Sequence, residues 1–120
     1  MPTLFNISGS YFLSAPLVIS TLYRDVSRDN IKFINNSLIM GERKIPLNAR
    51  GLHEINFQFE FKEFSYLEVI EGKVDRKVID NRIILLGFNA TGTGDYLPTP
   101  ASKRYHGTKL LASAVQTLMD

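Results

Sequence analysis

Four consecutive apolar residues, Ile83-Ile84-Leu85-Leu86, constrain this chain more than any other stretch. A short unbroken run of strand-forming residues is the pattern of a strand covered on both faces, as in a parallel sheet. Gly87 closes the run. A loop over 88–100 follows, with Gly92, Gly94, Asp95, Pro98 and Pro100, and after Gly107 the apolar residues fall at Leu110, Leu111, Ala114, Val115 and Leu118. That last set is one stripe at helical spacing. Buried strand, Gly-rich turn and amphipathic helix make up half of an α/β unit, in which ligands sit just beyond the strand's carboxyl end.

The rest of the chain reads as support for this unit. Met1–Ser10 shows no periodicity and is expected to lie extended. Ser14-Ala15-Pro16 marks a helix start, with Ser14 or Ala15 as cap and Pro16 in the first turn. This helix should run to about Arg28 and bury Leu17, Leu22 and Val26 or their neighbours. Three short strands follow at Ile31–Ile34, Ser37–Met40 and Lys44–Leu47, turning at Asn35-Asn36 and Gly41-Glu42, which predicts an antiparallel meander with Pro46 at its edge. Ile55, Phe57, Phe59 and Phe61 alternate with Glu54, Asn56, Gln58, Glu60 and Lys62. That is a strand buried on one face, its apolar side forming core or lining a pocket. Ser65-Tyr66-Leu67-Glu68 is a capping box opening a short helix that stops at Gly72, and Asp75–Ile79 adds a further turn. The whole reads as α/β, with mixed α+β as the variant. It is a single layered domain over residues 1–120: a central mixed sheet, a strand–helix–strand crossover, the meander and flanking helices.

Composition excludes more chemistry than it suggests. There are no cysteines, which removes disulfides, thiolate metal sites and cysteine nucleophiles. The net charge of +2 comes from scattered basic pairs rather than a clustered patch, so a nucleic-acid partner is not expected. No apolar run reaches the roughly 18 residues of a membrane span, so the isolated chain is expected to be soluble. The two histidines, His53 and His106, lack partners at metal-ligand spacing and are expected to be exposed or structurally bonded. The loop fails the phosphate-loop pattern for want of a lysine after Gly92. It fails the dinucleotide fingerprint because Leu97 stands where a third glycine belongs. No nucleophile elbow or paired acid/base carboxylates are present, so no catalytic residue, metal ligand or cofactor is assigned. What remains is a loop that can present backbone N–H groups and the Asp95 carboxylate to a small polar ligand, or that merely turns the chain.

Several motifs in sequence order resemble the C-terminal part of the second-class CHASE domain, a sensory extracellular module associated with cyclases and histidine kinases. They are Leu38-Ile39-Met40-Gly41 with Ile45-Pro46-Leu47-Asn48; Gly51; Ile55-Asn56-Phe57; and the run from Phe64 to Val74. The set closes with Ile83–Gly87, Thr91, Gly94-Asp95, Thr99-Pro100 and Gly107. The resemblance spans about Ser14 to Met119. It implies a non-catalytic, extracytoplasmic sensor fragment of a transmembrane receptor, whose inner parts are cyclases or kinases. Family domains are longer, with a further N-terminal α/β portion, and are anchored by membrane helices outside this segment. The expected ligand-binding residues are Thr91, Gly92, Gly94, Asp95 and Thr99, for a small-molecule or protein signal, with a homodimer as a candidate assembly. Two positions depart from the family pattern: Gln58-Phe59-Glu60 replaces Arg-Gly-Pro, and the last helix starts with Lys109-Leu110-Leu111-Ala112-Ser113 instead of a polar stretch.

Overall fold

The computed structural model of the chain describes residues 1–87, 96–102 and 105–120. Two strands, β1 (Leu4–Ile7) and β2 (Ser10–Leu13), form an antiparallel hairpin. Helix α1 (Ala15–Arg24) and a 3₁₀ turn lead into the meander β3 (Ile31–Ile34), β4 (Ser37–Met40) and β5 (Arg43–Pro46). The short helices α2 (Tyr66–Ile70) and α3 (Arg76–Ile79) follow, then the hairpin β6 (Tyr96–Leu97) with β7 (Tyr105–His106), and helix α4 (Gly107–Met119). Helices and strands are thus mixed, as the sequence implies. The sheets among the described residues are small and antiparallel, however, in place of the expected central mixed sheet.

The core lies where α1, α4 and the meander meet. Leu17, Leu38, Met40, Ile45 and Leu118 are buried together, with Leu13, Val26, Ile31 and Leu47 packed around them. The meander follows its sequence signals closely. Asn35 and Asn36 both take positive φ (49° and 58°), the geometry of a two-residue hairpin turn, and Pro46 sits on an edge strand opposite Ser37. α4 buries Ala114, Val115 and Leu118 from its predicted stripe.

α1 ends at Arg24, four residues short of expectation, because Asp25 turns left-handed (φ 53°) and the Val26 N–H donates back to the Thr21 carbonyl at 2.9 Å. Its buried stripe is Leu17, Ser20 and Thr21, which leaves Leu22 76% exposed. The sequence reading missed this face because two of its members look polar. Ser20 and Thr21 satisfy their hydroxyls on the Pro16 and Val18 carbonyls (2.7 and 2.8 Å), so they are buried without loss. Ser14 holds the N-cap position, but its side chain makes no cap bond.

The N-terminal segment is a correction. Its hairpin turns at Ser8-Gly9 (φ 52° and 86°), supported by the Gly9 N–H donating to Asn6 Oδ1 at 3.1 Å. Phe5 faces Phe12 across the pair, and both are about half exposed.

The second correction concerns Ile83–Leu86. This run is extended but joins no ladder among the described residues, and Ile84 and Leu86 are 62% and 78% exposed. Cover on both faces requires flanking strands or helices, and the described part of the chain supplies none there. Ile55–Phe61 keeps its predicted alternation, with Ile55, Phe57, Phe59 and Phe61 half-buried and the intervening residues exposed, but it too is unpaired.

Candidate functional site

α4 provides the axis of the candidate site. His106 caps its N-terminus, accepting the Thr108 N–H on Nδ1 at 3.2 Å. At the other end, guanidinium groups from Arg24 and Arg43 both donate to the Met119 carbonyl, Arg24 at 2.7 Å. Two cations from different elements therefore meet a helix C-terminus, where unsatisfied carbonyls carry partial negative charge.

Two extended segments run against this helix in the same direction. The Asn56 N–H donates to Thr117 Oγ1 at 3.0 Å near the C-terminal end, and Glu63 pairs with Lys109 at 3.5 Å near the start. Asn81 accepts a hydrogen bond from the Tyr23 hydroxyl at 3.0 Å, one residue from the Arg24–Met119 contact, while Gly87 abuts Thr108. Asn81 itself is left-handed (φ 58°) and closes the turn after α3, so the run toward Gly87 begins after it. Helices α2 and α3 stand between the two segments, as expected of a strand–helix–strand unit, but neither segment joins a ladder among the described residues. Both segments point their carboxyl ends toward the N-terminus of α4.

Gly87 is fixed by that meeting. A Cβ on this residue would lie 2.8 Å from Thr108 Cβ, so the strand end can approach the helix only as glycine. Across from it, β6 pairs with β7 in the register Tyr96↔His106 and Leu97↔Tyr105, bringing the hairpin beside the first turn of α4. Thr99 lies in the hairpin loop, half-buried. Its N–H donates to the Ser102 carbonyl at 2.8 Å, and its hydroxyl exchanges 3.2 Å contacts with the Ser102 main chain. The Thr99 side chain is therefore engaged in closing its own turn. Thr91, Gly92, Gly94 and Asp95 lie outside the described residues; the chain enters that stretch at Gly87 and leaves it at Tyr96, both near the start of α4.

His53 is the residue that sequence reasoning placed wrongly. It is buried, 1% exposed, and neither ring nitrogen has a hydrogen-bond partner among the described residues. Its main chain pairs with Met1: the His53 N–H donates to the Met1 carbonyl at 3.0 Å and the Met1 amine to the His53 carbonyl at 2.8 Å. Burial pushes its pKa below the ordinary histidine value, and the Met1 ammonium adds to this. The Glu54 main chain offsets part of the effect. The signal was available, since His53 shares the parity of Ile55, Phe57, Phe59 and Phe61 and so falls on the inward face. Among the described residues no group of three His, Asp or Glu side chains could hold a metal.

The family model for the CHASE2 domain matches residues 2–120, essentially the whole chain. The chain belongs to the CHASE2 family. CHASE2 domains are sensory extracellular domains found in cyclase and kinase receptors. Searches of curated proteins and of solved structures returned no significant match. No helix among the described residues of this CHASE2 domain is long and apolar enough to cross a membrane.

Proposed function

We propose that this CHASE2 domain is part of the signal-input region of a bacterial transmembrane receptor with a cyclase or kinase output. It carries no catalysis of its own. The observation behind this reading is the family match over residues 2–120. The domain sits outside the cytoplasmic membrane, within a larger sensor region, and membrane helices outside this chain anchor it. Thr91, Gly92, Gly94, Asp95 and Thr99 hold a small polar signal, met by loop N–H groups and the Asp95 carboxylate. The contact of Gly87, the residue that leads into this stretch, with Thr108 in the first turn of α4 supports the reading.

A second reading, a protein-interaction domain without a small-molecule ligand, draws on α2. Its Tyr66, Leu67, Val69 and Ile70 are all exposed, an apolar surface typical of a protein-binding patch. The test compares receptor output and thermal stability for the wild type and Asp95→Ala. A metabolite that raises Tm and switches output in the wild type but not in the variant supports the ligand site. Output that switches normally in Asp95→Ala overturns it. Output that still switches after the domain is deleted overturns the sensory role altogether.

A further inference from the structure

Residues Glu54–Lys62 form an extended segment whose two edges are unlike. In a strand, successive residues direct their main-chain groups to opposite edges. On the even edge, the Asn56 N–H is taken by Thr117 Oγ1 (3.0 Å) and the Gln58 N–H by Asn56 Oδ1 (2.9 Å). Those two N–H groups are the only main-chain groups of Glu54–Lys62 that bond anything among the described residues, so the odd edge, with Ile55, Phe57, Phe59 and Phe61, is open throughout. A row of open N–H and C=O groups on an extended, alternating segment is a template for strand addition.

We propose that the occupant of this edge is the same segment of a second copy, paired antiparallel about a two-fold axis through Gln58. The sequence is self-complementary in that register and loses the match if it slips. Glu54 falls opposite the partner copy's lysine at position 62, and the same pair recurs on the other side of the axis. Ile55 then faces Phe61, Phe57 faces Phe59, and Gln58 faces its own copy. Opposite charges and aromatic pairs placed directly across from each other stabilise antiparallel strands, whereas like charges there oppose pairing. The odd residues hold the open groups, so the Phe57–Phe59 and Ile55–Phe61 pairs exchange the hydrogen bonds, and Gln58 becomes a non-hydrogen-bonded pair. The even side chains all lie on the exposed face, and Phe57 packs edge-on against Tyr105 beneath (ring centroids 5.4 Å apart). Each copy therefore brings its own α4 to the covered face of the joint ribbon.

The experiment uses the full chain, whose lack of cysteine leaves a clean background. Gln58→Cys should oxidise to a disulfide-linked dimer. Glu60→Cys alone should not, because in this register its two copies are about 14 Å apart, beyond the roughly 7 Å that a disulfide spans. Mixing Asn56→Cys with Glu60→Cys chains should restore cross-linking. By sedimentation, Glu54→Lys should weaken the dimer roughly five- to thirtyfold, and Glu54→Lys/Lys62→Glu should recover it. These are exposed positions, so folding is preserved and is checked by circular dichroism. A chain that stays monomeric at ~100 μM overturns the proposal. So does cross-linking no faster at 58 than at 60, or a dimer indifferent to both charge changes. None of these outcomes bears on whether the domain is a sensor.

Discussion

Replacing His53 with leucine is expected to stabilise this domain, and more so in mild acid. The side chain is buried, and neither ring nitrogen has a partner among the described residues. A buried polar group without a hydrogen bond costs about 1–3 kcal/mol, a cost that an apolar residue of similar size does not carry. The main-chain bonds to Met1 are unaffected by the change. An unfolding entropy of roughly 2.1 cal/mol/K per residue makes 1 kcal/mol worth about 4 °C here, so His53→Leu should raise Tm by about 4–12 °C near pH 7.5. The unfolded chain protonates this histidine near 6.5, and the folded chain only at a lower pH. Between those values the unfolded state holds more protons, so wild-type stability falls as pH drops below about 6.5. His53→Leu removes that contribution, and the gap in Tm should widen from pH 7.5 to pH 5. Calorimetry or thermal circular dichroism of both proteins across this range decides the matter. A variant less stable than the wild type, or a gap that stays constant with pH, would refute the reasoning.

Other substitutions test separate parts of the structure. Leu17→Ala should cost about 2–5 kcal/mol in denaturant unfolding and Leu22→Ala well under 1, since one is fully buried and the other points to solvent. Gly87→Ala should destabilise through its clash with Thr108, and Gly87→Ala/Thr108→Gly should recover part of the loss, giving a non-zero coupling in a double-mutant cycle. Ser65→Ala should cost about 1 kcal/mol of local helix stability, read as faster amide exchange in α2, because the Ser65 hydroxyl accepts the Glu68 N–H at 3.1 Å.

Local signals in the sequence were legible wherever one element could satisfy itself. The capping box at Ser65 and Glu68, the stop at Gly72, the Asn35-Asn36 turn and the edge position of Pro46 all depend on neighbours within a few residues. The same holds for the Ser8-Gly9 turn, whose signal was present and overlooked. Ile83–Leu86 failed for the opposite reason. Four apolar residues state that cover is needed without stating what supplies it, and a strand exists only once a second segment lies beside it. On α1 the inward face was obscured because Ser20 and Thr21 carry hydroxyls that bond within their own helix. At the candidate site, the approach of Gly87 to the helix could be read from a glycine ending an apolar run. The turn closed by Thr99 on Ser102 could not, since it depends on the fold of the hairpin loop.

The clamp on the Met119 carbonyl has a mechanical consequence. Among the described residues, Arg24 to Met119 is the one polar tie between α1 and α4; along the rest of the seam the helices meet through packing. The buried hydroxyls of Ser20 and Thr21 are spent within α1, and that of Ser113 on Tyr105, so none of them joins the two helices. Against α1, then, α4 is pinned by hydrogen bonding at Met119 alone among the described residues. Its opposite end answers to other elements, through the Glu63–Lys109 ion pair and the contact of Gly87 with Thr108, so a shift in those segments reaches the helix at the turns farthest from the Met119 tie.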